Sequence, residues 1–189
     1  MLCNLRCGGS LGVFTLKVDM VSENKLELHS EPQIFIPTTP EHLIALRLIF
    51  QEYSESLPIS LDFQGFEEEV MNLPGEYVEP RGCILLATVE GTPAGCVALR
   101  PLDNVDYSNA CEMKRLYVRP NFRRLGLGRL LTEYILDAAT MAGYSTVLLD
   151  TLDDMEAARE LYADLGFEEI PPFYHSPIAG AHYLKVELD

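Results

Sequence analysis

The chain reads as an α/β (α+β) domain in which a central mixed sheet is flanked by helices. Three observations carry that expectation. From Gln33 onward, strand-like runs and helical periods follow one another along the chain. From Leu127 to Met141 the apolar residues recur with a 3.6-residue period, which marks an amphipathic helix. Cys83 to Val89 and Ala94 to Leu99 are short apolar runs joined by the turn signal Glu90-Gly-Thr-Pro93, which marks a hairpin of two largely buried strands.

Taken in order, Gln33 to Pro37 is a short first strand. Thr39 is placed as an N-cap, with Pro40 at the first helical position and apolar residues at Leu43, Leu46, Phe50, Tyr53 and Leu57, so a helix follows. Phe63 to Leu73 is expected to form a second helix whose Glu67, Glu68 and Glu69 lie on a solvated face. After the hairpin and a polar loop, Asp103 to Asn109, comes a strand whose apolar parity changes. Cys111 and Met113 are odd, whereas Leu116 and Val118 are even. Either both faces are buried, or one extra residue forms a β-bulge, a device enriched beside active sites. Gly143 closes the helix that begins at Gly126. Ser145 to Leu149 is a buried strand, and Asp153 with Glu156 resembles a capping box for a helix to Leu165, with Gly166 just past its end. Phe167 to Ile170 and Ala181 to Leu188 are the last strands. Residues 1–30 show no cap or turn logic and are read as an appendage, a candidate for disorder, to a domain of residues 31–189.

With 189 residues, 48% of them hydrophobic and 23% charged, the chain can build one domain with a real core. A net charge of −15 argues against a nucleic-acid partner. No apolar stretch is long enough to cross a bilayer, and Met1 to Met20 lacks a secretory pattern, so a cytoplasmic protein without a membrane partner is expected. The 5 cysteines are scattered and odd in number, which argues for a reducing compartment. Cys83, Cys96 and Cys111 are expected to be small buried hydrophobes. Cys3 and Cys7 have no partner pair, and the 4 histidines show no HExxH, so no metal is expected. Of the 14 basic residues, Lys114, Arg115, Arg119, Arg123, Arg124 and Arg129 fall together with no acid between them. A local cationic patch on an acidic protein suggests one specific anion.

Arg123-Arg-Leu-Gly-Leu-Gly128 joins that strand to the strongest helix. Glycines there bring backbone N–H groups close to an oxyanion, and the helix N-terminus adds unpaired donors. A strand-to-helix turn that needs glycine for its own backbone would look the same, so the local pattern leaves both readings open. Nothing fits a Walker loop. A dinucleotide fingerprint would read Gly126-x-Gly128-x-x-Leu131, without its third glycine and with Arg119 to Leu125 intervening, and Asp150 at a later strand end keeps it in play.

A third design matches best. Arg123-x-x-Gly126-x-Gly128, preceded by Leu116-Tyr-Val-Arg-Pro120 and followed downstream by Ala158-Arg-Glu-Leu-Tyr162-Ala-Asp-Leu-Gly166-Phe167, resembles the GNAT superfamily of acyl-CoA-dependent N-acyltransferases. The resemblance implies a mostly antiparallel sheet with strands splayed at the bulge. It implies coenzyme contacts at Leu116, Tyr117 and Val118, at Arg123, Arg124, Leu125, Gly126, Leu127, Gly128 and Arg129, and at Ala158 and Leu161. Acyl transfer from a thioester needs a neutral amine, a stabilised oxyanion and a proton for the departing thiolate. Leu116 N–H is implied to face the acyl oxygen. Tyr162 stands where many relatives place a general acid, a role compatible with a core tyrosine, and Glu112 where some place a general base, reached directly or through water; a strand-end glutamate in solvent is the other reading of Glu112, and an amine that arrives neutral needs no base. The acceptor is expected between Pro58 to Pro80, acidic with Asp62, Glu67, Glu68, Glu69, Glu76 and Glu79, and Pro171 to Gly180, with Phe173, Tyr174 and His175. Such walls suit a cationic amine. The expected activity is transfer of an acetyl group from acetyl-CoA to a primary amine of a small molecule or peptide by direct attack in a ternary complex, without a metal and with a homodimer left open. The rivals are an acyl-CoA-binding regulatory module without catalysis and a nucleotide-binding oxidoreductase-like domain.

Overall fold

The computed structural model describes residues 31–175 and 177–188; the appendage expected over residues 1–30 lies outside them. After strand β1 (Gln33–Phe35), the Thr39 hydroxyl accepts the His42 N–H at 3.3 Å and helix α1 runs over Pro40–Ser56, as its capping residues require. The second helix differs from expectation. Gly65 adopts a left-handed φ of 70° and divides the segment into a 3₁₀ turn, Asp62–Gln64, and a short helix α2, Phe66–Met71. Strands β2 (Cys83–Val89), β3 (Thr92–Leu102) and β4 (Ala110–Val118) follow as one antiparallel meander. Helix α3 (Leu127–Met141), β5 (Thr146–Leu152), α4 (Glu156–Asp164), β6 (Glu168–Ile170) and β7 (Ala181–Glu187) complete the chain.

Among the described residues the sheet has 7 strands in the order β1-β2-β3-β4-β5-β7-β6, and only β4 and β5 pair in parallel. It is therefore mostly antiparallel and open. Side chains of β2 alternate between two apolar layers: Leu85 and Ala87 pack with Leu131 and Ile135 of α3, while Ile84 and Leu86 pack with Leu46, Ile49 and Phe50 of α1. Burial on both faces explains why this strand carries no polar alternation. Among the described residues, no helix is long and apolar enough to cross a membrane.

The capping box expected at the fourth helix is absent. Met155 is the N-cap of α4 and makes no side-chain cap; Asp153 is turned instead toward His182 on β7, 2.5 Å away. The parity change in β4 is a bulge. Cys96 pairs with Tyr117 and Ala98 with Lys114, so Arg115 and Leu116 together stand opposite Val97, and Arg115 takes a φ of 59°.

Candidate active site

Strands β4 and β5 pair only over Ala110↔Thr146, Cys111↔Val147 and Glu112↔Leu148. Beyond that point β4 stays on β3 as far as Val118 and β5 stays on β7 as far as Leu152. The sheet therefore splits where the bulge begins. Into the split opens a cleft of about 770 Å³, lined by β4 from Met113 to Val118, β5 from Leu149 to Leu152, the start of α3, the inner face of α4 and the segment after α1. Pairing of β3 with the bulge is tight: a Cβ placed on Gly95 would stand 2.5 Å from the Tyr117 carbonyl oxygen.

At one end of the cleft is the mouth of α3. Arg124 and Gly126 both have left-handed backbones, with φ of 66° and 77°, and the Leu130 N–H makes the helix's entry bond to the Gly126 carbonyl at 3.1 Å. The N–H groups of the first turn consequently have no intrahelical acceptor. Nothing lies within 4 Å of a Cβ placed on Gly126, and at Gly128 the nearest atom is Leu161 Cδ2 at 3.8 Å. Open main-chain donors at a helix N-terminus fit an anionic group such as a diphosphate.

The cationic patch is less free than its sequence suggests. Arg115 is paired with Glu69, Arg119 with Glu52, Arg129 with Asp164 and Lys114 with Glu112. Only Arg123 and Arg124 of the expected cluster lack a carboxylate partner among the described residues. Arg123 lies over the Tyr117 ring, 5.7 Å from its centroid, and donates to the Val118 carbonyl at 2.9 Å.

Tyr162 reaches the cleft from α4. Its ring packs against Phe167 at 5.4 Å, and its side chain is 5% exposed. Burial raises the pKa of its hydroxyl, so the proton is held firmly at neutral pH. Among the described residues that hydroxyl has no hydrogen-bond partner, and no fully enclosed side-chain oxygen is unsatisfied, so it retains access to the cleft. Ala158 and Leu161, on the same helix, also line it.

Glu112 does not. It is 2% exposed, 2.7 Å from Arg100 Nε and 3.5 Å from Lys114 Nζ, and it is absent from the cleft wall. The solvent-exposed reading is wrong, and direct contact with a substrate is not available in this arrangement. Leu116, Tyr117, Val118, Arg123, Arg124, Gly126, Leu127 and Gly128 all line the cleft, while Leu125 is 42% exposed outside it and Arg129 is held by Asp164.

Residues 45–167 match the Acetyltransferase (GNAT) family. The chain belongs to the GNAT family. It is thus an acetyl-transferring enzyme by descent, with the splayed sheet that the Arg123-x-x-Gly126-x-Gly128 motif implied. It is 40% identical over 150 residues to an uncharacterized N-acetyltransferase of Schizosaccharomyces pombe, covering 79% of this chain and 90% of that one. It is 29% identical over 142 residues to the N-acetylaspartate synthetase of Rattus norvegicus, covering 75% of this chain and 46% of that longer protein. The fold superposes with a TM-score of 0.61 on yncA of Salmonella typhimurium, solved with its cofactor acetyl-CoA, over 85% of this chain and 95% of that one at 18% identity.

The other end of this GNAT cleft departs from expectation. None of the acids predicted for the acceptor wall lines it. Glu69, expected in solvent, accepts two hydrogen bonds from the buried Arg115 at 2.9 and 2.6 Å, and Glu76 is engaged by Arg100 at 2.9 Å. The two predicted segments do contribute, through Ile59, Leu61, Gln64 and Ile178. Of the acids that line the cleft, Asp154 and Glu156 are exposed at its rim and Asp150 on β5 is half-buried; the sequence connects Asp150 only with a dinucleotide site. Around Asp150 runs a polar relay in which Lys114 Nζ donates to Gln64 Oε1 at 3.3 Å, Gln64 Nε2 donates to the Tyr174 hydroxyl at 3.4 Å, and that hydroxyl neighbours Asp150. No local motif could have announced it.

Proposed function

We propose that the protein is an N-acetyltransferase that moves an acetyl group from acetyl-CoA to a primary amine of a small molecule or peptide, by direct attack in a ternary complex. The domain that carries the activity runs over residues 31–189, with residues 1–30 as an appendage. The observation that carries this reading is a continuous cleft that leads from unpaired main-chain donors at the α3 mouth, past the freed edge of β4, to the hydroxyl of Tyr162.

When bound, acetyl-CoA supplies an activated thioester. The first turn of α3 holds its diphosphate, with Arg123 and Arg124 adding charge from outside. The edge of β4 from Leu116 to Val118, released from β5, offers main-chain groups to the pantetheine arm, and Leu116 N–H faces the acyl oxygen. Tyr162, protonated at working pH, gives its proton to the departing sulfur. Two findings support direct transfer over an acyl-enzyme. Cys83 and Cys111 are buried with thiols pushed up to about 12, and Cys96 is buried and raised further. None of these three lines the cleft. Kinship with N-acetylaspartate synthetases makes aspartate the natural amino acid to place in a first acceptor panel.

The test is a thermal-shift comparison of acetyl-CoA, longer acyl-CoAs and NAD on the full chain, followed by thiol release with a panel of amines. Stabilisation by acetyl-CoA and CoA release with an amine are expected. Response to NAD alone would overturn the coenzyme assignment, and binding without release for any amine would make the chain a coenzyme-binding module.

A further inference from the structure

The described acids of the protein interior are neutralised one by one. Glu112 is matched by Arg100 and Lys114, Glu69 by Arg115, and Glu52, nearer the surface, by Arg119. Asp150 is the exception: it lines the cleft and makes no ion pair among the described residues. It lies on the part of β5 that has separated from β4, opposite Tyr183 on β7, so its strand faces open space on the side where a pairing partner would stand.

Its surroundings are polarised toward it. Lys114 and Arg115 both donate to the Gln64 carbonyl oxygen, at 3.3 and 3.1 Å, which leaves the Gln64 amide nitrogen to donate to Tyr174 and frees the Tyr174 hydroxyl proton for the neighbouring Asp150. Every donor in this relay points the same way, and the carboxylate is its terminal acceptor. Edge contacts of 5.3 to 5.4 Å among Phe173, Tyr174 and Tyr183 fix the last donor in place. Even with the Tyr174 hydroxyl as a donor, the carboxylate keeps unused acceptor capacity, and that capacity opens on the cleft.

We propose that Asp150 is the group on which the acceptor amine docks as a cation and to which it surrenders a proton. This assignment rests on the transferase reading above and completes it. The nitrogen of an alkylammonium loses two protons on becoming an amide: one passes to Asp150 and on to solvent, and the other restores the Tyr162 hydroxyl, which has given its own proton to the coenzyme sulfur. The N–C bond forms as the C–S bond breaks, and no redox partner is involved. Burial raises the Asp150 pKa, which makes it a better base than an exposed carboxylate and moves its titration toward neutrality. The groups facing it are Lys114, Glu112 and Arg115 from β4, Tyr53 from α1, Tyr162 from α4, Tyr174 from the β6–β7 connection and Tyr183 from β7. Lys114, itself buried and lowered in pKa by burial, is the cation that most favours the Asp150 carboxylate and is shared with Glu112.

Asp150→Asn tests this with acetyl-CoA and two probe amines, ethylamine, which is a cation near pH 7, and 2,2,2-trifluoroethylamine, which is largely neutral there. The expected result is a loss of at least about 100-fold in kcat/KM for ethylamine and less than about tenfold for trifluoroethylamine. The acetyl-CoA thermal shift should be unchanged, and Tm should equal or exceed wild type because a half-buried carboxylate without an ion-pair partner has been replaced by a neutral amide. Asp150→Glu should recover part of the ethylamine rate. Equal losses for both amines, or a lowered Tm with parallel loss of coenzyme binding, would make Asp150 a structural residue and overturn the proposal. Full activity of Asp150→Asn would overturn it as well. If wild type shows no shift with acetyl-CoA, or binds it but releases no CoA with any amine, the transferase reading itself falls.

Discussion

The two ends of the cleft are built from different material. At the α3 mouth the groups presented to the cleft are main-chain N–H donors, freed by left-handed backbone at Arg124 and Gly126 within a few consecutive residues. At the other end they are side chains joined across the fold, with Lys114 reaching Gln64 and Gln64 reaching Tyr174 over 50 and 110 positions. A main-chain site is set by a few local dihedrals, so it tolerates many side chains but few backbones. A side-chain site inverts that tolerance.

Gly126→Val is the largest blow to the first end. A β-branched residue is strained at φ 77° by about 1–3 kcal/mol, and relief of that strain turns away donors whose charge-assisted bonds contribute about 1.5–3 kcal/mol each. Acetyl-CoA binding by calorimetry should weaken about 1000-fold. Because nothing packs against that position, the fold itself should hold, and unchanged affinity would show that the diphosphate lies elsewhere. Tyr162→Phe acts where the two ends meet. It should lower kcat about 100-fold while the dissociation constant of acetyl-CoA stays the same. A matched loss of affinity would make the hydroxyl a binding group and blur the division.

The same contrast explains what the sequence disclosed. The α3 mouth was legible because strand, glycines and helix are contiguous, and the bulge because a parity change in β4 needs no knowledge of its partners. Tyr162 was legible through an uninterrupted downstream motif. The other end draws on both expected segments, through Ile59, Leu61, Gln64 and Ile178, but not on their acids. Acidic residues such as Glu69 and Glu76 read as a cation-binding wall, whereas the fold spends them on Arg115 and Arg100. In the same way a patch of arginines read as an anion site, and most of its members turned out to be ion-paired within the protein. Charge counts are local, but charge compensation is decided by long-range closure. Glu112 shows this most plainly: its position on the strand was right, and its partners, which decide its chemistry, could not be seen.

Glu112→Gln sharpens that point. The substitution leaves Lys114 and Arg100 with a neutral partner in a nearly dry site, and a loss of about 1–2 kcal/mol in folding free energy is expected by denaturant titration. Activity should fall evenly across pH, since the effect is on architecture. A loss concentrated at low pH would restore Glu112 as the base and count against Asp150.

The smallest effect lies at the rim. His182 sits between Asp153 and Glu169, at 2.5 and 2.7 Å, and ties the turn before α4 to β6 and β7. The two carboxylates, Asp153 first, raise the imidazole pKa. A raised folded-state pKa stabilises the fold fully below the unfolded value of about 6.5 and loses that contribution as pH climbs through the folded value. The carboxylates are 69% and 64% exposed, so water screens most of the interaction. His182→Ala should therefore lower Tm by a degree or so at about pH 6 and by nothing measurable at alkaline pH. A pH-independent decrement would mean that the ring contributes by packing and not by charge. The acetyl-CoA affinity of the same variant should not change with this titration, because the donors at the α3 mouth are amides and have no proton to lose.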